Sequence, residues 1–248
     1  MRVIVVKNKD EMGVRAAHLV AEDMQKKTGP YVLGLATGST PVTMYKEWIR
    51  MHQAEGLDFS TAISFNLDEY VGLPGTHDQS YRYFMNVNLF DHVNINKKNT
   101  FVPDGLAKDV DAFCEHYEAM IDDVGGIDYQ VLGIGANGHI GFNEPGSSLG
   151  SLTRIKTLTE QTVSDNARFF KDKSQVPTLA ITMGIGTIFK ARKVVLLASG
   201  ANKADAIRDA LEGPVSSMCP ASALQLHRWA TCVIDEAAAS KLTLKYEA

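Results

Sequence analysis

A glycine-rich stretch near the middle of the chain carries side chains that could move protons. Residues 133–145 read GIGANGHIGFNEP and combine four glycines with His139, Glu144 and two asparagines. Histidine exchanges protons near neutral pH, and a neighbouring carboxylate can orient it. Glycine lets the backbone pass close to a ligand because it has no Cβ. Since a strand-like run precedes it at residues 128–132, the stretch is predicted to be a catalytic turn at the carboxyl end of a strand.

The same stretch matches the dinucleotide-binding pattern G-x-G-x-x-G at Gly133, Gly135 and Gly138. That pattern requires the third glycine to open a helix that receives a pyrophosphate. Gly141 and Pro145 follow closely, and the residue before a proline avoids the α region. The sequence therefore disfavours NAD binding, whereas a glycine turn with only a structural role stays open as an alternative.

Two other turns have the composition of an anion site. The first, ATGSTP, precedes a helix predicted over residues 41–55 and contains Thr37, Gly38, Ser39 and Thr40. Amides at a helix N-terminus and the helix dipole favour an anion there. Because the turn lacks the Gly-Lys-Ser/Thr of a nucleotide P-loop, it indicates the phosphate of a small metabolite. The alternative is that Thr40 is an ordinary N-cap.

The second turn, SGANKA at residues 199–204, follows a strand predicted over residues 193–198. Its serine and glycine could bind phosphate in the same way, and Lys203 would add a full positive charge. The alternative is a solvent-exposed lysine.

Asp68 and Glu69 follow a strand predicted over residues 62–67. The crevice of an α/β sheet opens at this end of its strands, so one carboxylate could be a general base. Adjacent side chains of an extended segment point to opposite sides, and the two are therefore predicted to have different roles. A helix cap or a solvated turn is the alternative.

Strands and helices are predicted to alternate along the rest of the chain. The strands are predicted at residues 2–6, 31–35, 62–67, 100–102, 128–132, 154–158 (an edge strand), 179–183, 193–198 and 230–234, and the helices at 10–27, 41–55, 81–89, 109–124, 163–170, 185–189, 203–212 and 221–227. This alternation indicates parallel β-α-β crossovers in an α/β protein. We expect a single domain over residues 1–248, with the aromatic residues near the third helix, Tyr81, Tyr83, Phe84 and Phe90, in its core.

Composition excludes several classes of function. The chain has 248 residues, 45% of them hydrophobic, a net charge of -4 and no run of lysine or arginine, so we expect no nucleic-acid binding. The first residues form neither a signal peptide nor a membrane span, which predicts a cytoplasmic protein without membrane contact. The three cysteines, Cys114, Cys219 and Cys232, form no C-x-x-C pair, and neither an HExxH motif nor another metal-ligand cluster occurs. We therefore expect reduced thiols, no metal and no cofactor.

Two anion sites, a general-base carboxylate and a His/Glu turn together predict proton transfer on a phosphorylated small molecule. The reaction would be an isomerisation, a lysis or a hydrolysis without a cofactor. Composition and spacing do not choose the sugar or the bond.

The sequence resembles the glucosamine-6-phosphate deaminase family over nearly its whole length. The matching segments, in order, are LGLATGSTP (33–41), FNLDEYVGLP (65–74), GIGANGHIGFNEPGSSL (133–149), TRIKTLT (153–159), RFF (168–170), QVPTLAITMGIGTI (175–188), SGANKA (199–204) and LQLH (224–227). The resemblance implies a modified doubly wound, Rossmann-like fold with a mostly parallel sheet and helices on both faces. It also implies conversion of glucosamine 6-phosphate and water to fructose 6-phosphate and ammonia, a step of N-acetylglucosamine catabolism.

The resemblance also implies roles for individual residues. His139 would open the pyranose ring, oriented by Glu144 and residue 137, and Asp68 would move the C2 proton to C1. The positions that match phosphate ligands are Thr37, Gly38, Ser39, Thr40, Arg168 and Lys203.

The chain departs from the family at one of these positions, because residue 137 is Asn where the family has Asp. Asn can hold His139 by a hydrogen bond but cannot stabilise an imidazolium by charge. Arg154 and Lys156 match the activator site of members that respond to N-acetylglucosamine 6-phosphate. Hexameric and monomeric members both occur, so self-association is left open.

Two other functions are compatible with these residues. A related 6-phosphogluconolactonase would hydrolyse an ester, and a sugar-phosphate sensor would bind without turnover.

Overall fold

The computed structural model describes residues 1–159, 162–164, 170, 172 and 175–246, and its centre is a seven-stranded parallel sheet. With strands numbered along the chain, the sheet contains β1 (Arg2–Val6), β2 (Val32–Leu35), β3 (Ile63–Asn66), β5 (Thr100–Phe101), β6 (Tyr129–Gly133), β9 (Lys193–Ala198) and β10 (Ala230–Asp235). Their spatial order is β1-β10-β9-β6-β2-β3-β5, and every pair is parallel. The predicted parallel crossovers are confirmed.

Helices cover both faces of this sheet, as expected for a parallel sheet built from apolar strands. One face carries α1 (Lys9–Lys26), α2 (Val42–Glu55) and α3 (Tyr81–Met85). Trp48 of α2 is fully buried there and donates from Nε1 to the carbonyl of Ala17 at 3.1 Å. Its apolar surface and its hydrogen-bonded N–H both stabilise the contact between α1 and α2. Truncation of such a residue to alanine lowers the free energy of unfolding by about 3–5 kcal/mol.

The opposite face carries α4 (Val110–Asp123), α5 (Ile185–Phe189), α6 (Ala204–Leu211) and a 3-10 helix (Pro220–Leu226). Tyr117, Ile188 and Ile207 belong to the hydrophobic core on this side. The doubly wound arrangement expected from the sequence is therefore observed.

A second, three-stranded antiparallel sheet lies beside the first. It contains β4 (Asp68–Tyr70), β7 (Arg154–Thr157) and β8 (Leu179–Thr182) in the order β4-β8-β7. The chain passes between the sheets at Leu67, whose N–H donates to Leu35 O at 3.0 Å and whose carbonyl accepts from Met183 N at 2.7 Å. Asp68 follows a strand of the main sheet, as predicted. It also begins a strand of the second sheet, which the sequence does not predict, because Leu67 changes hydrogen-bond partners.

The helix predicted over residues 81–89 is shorter than expected. Ser80 caps α3 by accepting from Tyr83 N at 3.1 Å, but a π-helical turn at Asn86–Phe90 follows. The prediction that the aromatic residues here form core holds for Phe90 and is wrong for Tyr83, which is exposed. The helix predicted over residues 163–170 falls mostly outside the described residues.

None of the described helices is long and apolar enough to cross a membrane. Cys114 and Cys232 are buried, Cys219 is half-buried, and none of the three forms a disulfide.

Candidate active site

Four turns meet at the carboxyl ends of four adjacent strands of the main sheet. The order β9-β6-β2-β3 places residues 199–203, 134–145, 36–41 and 67–68 next to one another. They enclose a cavity of about 420 Å³. Its polar lining residues are Thr37, Thr40, Asp68, Tyr81, His139, Thr162, Asn202 and Lys203. The predicted convergence of the turns is thus observed, and it follows from the strand order, since ligands of open α/β sheets bind at this edge.

His139 lies on a tight turn after β6. The Gly135 N–H donates to the His139 carbonyl at 2.9 Å, so the turn closes on itself. A Cβ at Gly135 would lie 2.3 Å from His139 Nδ1, which means that only glycine leaves room for the imidazole. No helix occurs between residues 134 and 150, so the glycine pattern does not form a dinucleotide fingerprint.

Asn137 joins His139 to Glu144. His139 Nδ1 lies 2.7 Å from Asn137 Oδ1, and Asn137 Nδ2 donates to Glu144 Oε2 at 2.7 Å. A carboxylate only accepts hydrogen bonds, so the amide nitrogen faces Glu144 and the amide oxygen faces the imidazole. His139 Nδ1 therefore carries the ring proton, and Nε2 is left with a lone pair that can accept a proton.

Glu144 is buried yet held in its charged form. Burial raises the pKa of its carboxyl, but the nearby His139 ring and hydrogen bonds from Thr162 and Asn137 outweigh burial and lower the pKa to about 2. Thr162 Oγ1 donates to Glu144 Oε1 at 2.7 Å, and His139 Nδ1 lies 3.4 Å from Oε2. The site thus holds one fixed negative charge behind the histidine.

Asp68 has the opposite environment. Only 6% of its surface is exposed, and burial, followed by the charge of Glu69, raises its pKa to about 8. Its carboxylate borders the catalytic turn, since a Cβ at Gly141 would lie 3.5 Å from Asp68 Oδ2. A carboxyl with a pKa near neutrality can both accept and return a proton.

Glu69 has a separate, structural task. Its carboxylate accepts from the backbone N–H groups of Tyr70 at 2.9 Å, Tyr81 at 2.9 Å and Arg82 at 3.0 Å. These contacts fix the N-terminus of α3 beside β4. Asp68 lines the cavity and Glu69 does not, so the two side chains have different surroundings, in keeping with the prediction that they differ in role. The helix-cap alternative applies to Glu69 alone.

The first anion turn precedes α2. Thr37, Gly38 and Thr40 line the cavity, whereas Ser39 is exposed and is not among the lining residues. Gly38 has φ +88°, a conformation that a residue with Cβ adopts only with strain. Pro41 occupies the N-cap position without any side-chain cap, so the alternative that Thr40 is the N-cap is wrong.

The second anion turn is held by Asp235 at the end of β10. Asp235 accepts from Ser199 Oγ at 2.5 Å and from Gly200 N at 3.0 Å. Ser199 therefore stabilises the turn rather than pointing a hydroxyl at a ligand, which corrects the expectation that it binds phosphate. Asn202 and Lys203, which follow, line the cavity.

Three predicted positions remain, Arg168, Arg154 and Lys156. Arg168 falls outside the described residues. Arg154 and Lys156 lie two residues apart on β7, so they share one face of this edge strand and are not among the residues that line the cavity.

Sequence reasoning missed three residues that border the cavity. Tyr81 was assigned to the core, but its ring stacks on Phe142 with 6.2 Å between ring centroids and borders the cavity beside Asp68. Its position next to the Ser80 cap was the available signal. Thr162 and Asn202 carry no distinguishing spacing, and only the fold reveals them.

The fold and the cavity define an α/β enzyme with glycine-containing polar turns, a histidine and a buried carboxylate at one sheet edge. Residues 7–233 match the family described as glucosamine-6-phosphate isomerases/6-phosphogluconolactonase, and the chain belongs to this family.

Relatives named glucosamine-6-phosphate deaminase cover the chain almost completely. The protein of Shewanella loihica is 58% identical over 99% of this chain and 91% of its own length. That of Clostridium perfringens is 56% identical over 98% of this chain and 100% of its own length. A solved structure described as a monomeric glucosamine-6-phosphate deaminase has a TM-score of 0.95 and 45% identity, and the match covers 98% of this chain and 100% of that one.

Proposed function

We propose that this chain is a glucosamine-6-phosphate deaminase, which converts glucosamine 6-phosphate and water to fructose 6-phosphate and ammonia. Family membership and relatives of the same name support the proposal. The observation that carries it is the common cavity of Asp68 and His139, which also contains two anion-binding turns. A phosphorylated amino sugar has an anion at one end and an amine at the other, and this lining offers partners for both.

The phosphate is bound by the two turns. Backbone N–H groups at the start of α2 and the hydroxyls of Thr37 and Thr40 donate to its oxygens, and Lys203 adds charge. Gly38 allows the backbone to approach closely. Ser39 and Arg168 are retained as proposed ligands on the resemblance alone.

His139 opens the pyranose ring. Its Nε2 lone pair takes the proton of the C1 hydroxyl and then gives a proton to the ring oxygen, so the C1–O bond to the ring breaks and C1 becomes an aldehyde. Asn137 holds Nδ1–H in place throughout, and Glu144 stabilises the transient positive charge from 3.4 Å away.

Asp68 then acts on the open chain. It removes the proton from C2 while the substrate ammonium passes a proton to the C1 oxygen, which gives a neutral enolamine. Asp68 then returns its proton to C1, which leaves an iminium cation at C2. Water adds to the iminium, and ammonia departs as the ketone forms. Burial suits Asp68 to this task, because a pKa near 8 makes its protonated form stable enough to be a donor.

Five broader statements belong to the proposal. Residues 1–248 work as one catalytic domain, in the cytoplasm and without a cofactor. Arg154 and Lys156 are the candidate site for activation by N-acetylglucosamine 6-phosphate, on the resemblance alone. The last statement is that the chain self-associates. Sedimentation measures its mass in solution, and the structurally similar deaminase described as monomeric is the standard for comparison.

The deciding experiment measures ammonia released from glucosamine 6-phosphate, with and without N-acetylglucosamine 6-phosphate. We expect stoichiometric ammonia and fructose 6-phosphate. Acid release from 6-phosphogluconolactone without ammonia production would instead make the chain a lactonase. Tight binding of glucosamine 6-phosphate without turnover would make it a sensor.

A further inference from the structure

The Thr162 hydroxyl completes a chain of hydrogen bonds that ends at His139. Thr162 is buried, borders the cavity and donates from Oγ1 to Glu144 Oε1 at 2.7 Å. The other carboxylate oxygen of Glu144 accepts from Asn137 Nδ2, also at 2.7 Å. Two donors on opposite oxygens therefore determine how the Glu144 carboxylate is oriented.

Thr162 is itself fixed as a donor. Thr159 Oγ1 donates to Thr162 Oγ1 at 2.9 Å, and the backbone N–H of Thr162 donates to Thr159 Oγ1 at 3.2 Å. A hydroxyl has a single proton. Since the Thr162 oxygen accepts from Thr159, its own proton is directed to Glu144.

Asn137 makes this arrangement matter for the chemistry. A carboxylate would present oxygen to both neighbours, whereas an amide presents oxygen to one and NH₂ to the other. In the observed orientation Asn137 Oδ1 accepts from both Nδ1 and the backbone N–H of His139, at 2.7 and 3.2 Å. If the amide flipped, its NH₂ would face Nδ1, the ring proton would move to Nε2, and Nε2 could no longer accept a proton.

We propose that Thr162 is a positioning residue that selects the tautomer of His139. By holding Glu144 it holds the Asn137 amide, and the amide keeps the ring proton on Nδ1. Only the kinetic consequence rests on the proposed deaminase function, because the tautomer is a property of the protein without substrate.

The first test is a nitrogen NMR spectrum of the labelled histidine side chains at a pH where the imidazole is neutral. Wild type should show His139 as the Nδ1–H tautomer, and Thr162→Val should convert a large fraction, roughly a third or more, to Nε2–H, since the lost donor held a charged group. Thr162→Ser restores the hydroxyl and should restore the wild-type spectrum.

The matched control is Thr157→Val, the same change at an exposed position of β7, which should leave the spectrum unaltered. If Thr162→Val fails to fold, Thr162→Ala removes the same donor and carries the test. An unchanged His139 spectrum in the folded valine or alanine variant would overturn the proposal.

The second test is kinetic. Thr162→Val should lower kcat about tenfold or more while KM changes less than about twofold, because the hydroxyl acts on the ring-opening step through other residues. Thr162→Ser should recover most of the loss. A large rise in KM with a wild-type tautomer would instead make Thr162 a substrate ligand and overturn the positioning role. Should the wild type release no ammonia, the proposed function fails, and the NMR result still decides the role of Thr162.

Discussion

Asp68 and Glu144 are both buried carboxylates at the same sheet edge, yet their pKa values are displaced in opposite directions. The pKa of Asp68 is raised to about 8 and that of Glu144 is lowered to about 2. Burial acts alike on both, because it disfavours a charge wherever water is removed. The difference comes from donors. Glu144 lies beside the His139 ring and accepts from Thr162 and Asn137, whereas Asp68 faces the charge of Glu69.

This contrast assigns different chemistry to the two groups. A carboxylate whose charge is held by donors can stabilise an imidazolium but cannot exchange protons at neutral pH. A carboxyl without such donors can be protonated and deprotonated within one turnover. In the proposed mechanism, the site uses one carboxylate for charge and the other for proton transfer.

The largest expected effect is that of Asp68→Asn. Removing the proton acceptor should lower kcat roughly 10³-fold and abolish exchange of the C2 proton with solvent, while substrate binding persists. Proton exchange measured by NMR in deuterated water and ammonia release check this. Asp122→Asn is the matched control, since it makes the same change at an exposed carboxylate of α4 that does not line the cavity, and its kcat should stay within about threefold of wild type. C2 exchange at the wild-type rate in Asp68→Asn would remove Asp68 from the mechanism.

The next effect in size is that of Glu144→Gln. The neutral amide offers one acceptor oxygen in place of two, so either Thr162 or Asn137 loses its partner and the charge behind His139 disappears. We expect kcat on cyclic glucosamine 6-phosphate to fall roughly 10- to 100-fold, the equivalent of one hydrogen bond to a charged group.

Activity on an open-chain analogue, which needs no ring opening, distinguishes the role of Glu144 from that of Asp68. Glu144→Gln should lose much less activity on this analogue, whereas Asp68→Asn should lose activity on both substrates. Glu118→Gln serves as the control, because Glu118 is another mostly buried acceptor of threonine hydroxyls that lies away from the cavity. Equal losses of Glu144→Gln on both substrates would contradict its link to His139.

Most of the scaffold could be predicted from sequence, because it is encoded locally. The apolar runs of β9 and β10 and the apolar periodicity of α1 and α4 gave elements within one or two residues of those observed. Parallel pairing then followed from their alternation.

The candidate site was predictable only in part, because its contacts are long-range. The turns around Gly38, Asp68 and His139 were recognisable from residue type. Their meeting depends on the strand order β9-β6-β2-β3, which no local pattern contains. Strands were predicted at residues 154–158 and 179–183, but the sequence of a strand does not show which other strand it pairs with. The antiparallel second sheet was therefore not predicted. Ser199 was assigned to phosphate because its real partner, Asp235, is 36 residues away.

The pH dependence of activity follows from the same contrast. Asp68 must be ionised to accept the C2 proton, so kcat/KM should fall as the pH drops below about 8, the pKa of Asp68 in the free protein. In the complex, the positive charge of the substrate ammonium favours the Asp68 anion and so lowers the pKa of Asp68. The decline in kcat, which reports this complex, should therefore lie at lower pH than the decline in kcat/KM. Glu144 stays charged down to about pH 2 and should produce no further decline in the neutral range. Initial rates measured between pH 5 and pH 10, at roughly five pH values per pH unit, check the expectations for Asp68 and for Glu144. A kcat/KM profile without an acidic limb would contradict the raised pKa of Asp68.

The smallest effects concern stability, and they should have opposite signs. The pKa of Asp68 is higher in the folded chain than its ordinary 3.8, so ionisation destabilises the fold as the pH rises from 3.8 to about 8. Asp68→Asn removes this cost and should be more stable than wild type by about 1–3 kcal/mol at pH 8, with the gain shrinking toward pH 4.

The pKa of Glu144 is lower than its ordinary 4.5, so its charge stabilises the fold above that pH, and the contribution is lost as the pH falls toward about 2. Glu144→Gln should therefore be less stable than wild type by about 1–3 kcal/mol at pH 7. Urea unfolding of both variants at pH 4 and pH 8 measures the two signs, and destabilisation by Asp68→Asn at pH 8 would show that Asp68 is held by donors as Glu144 is.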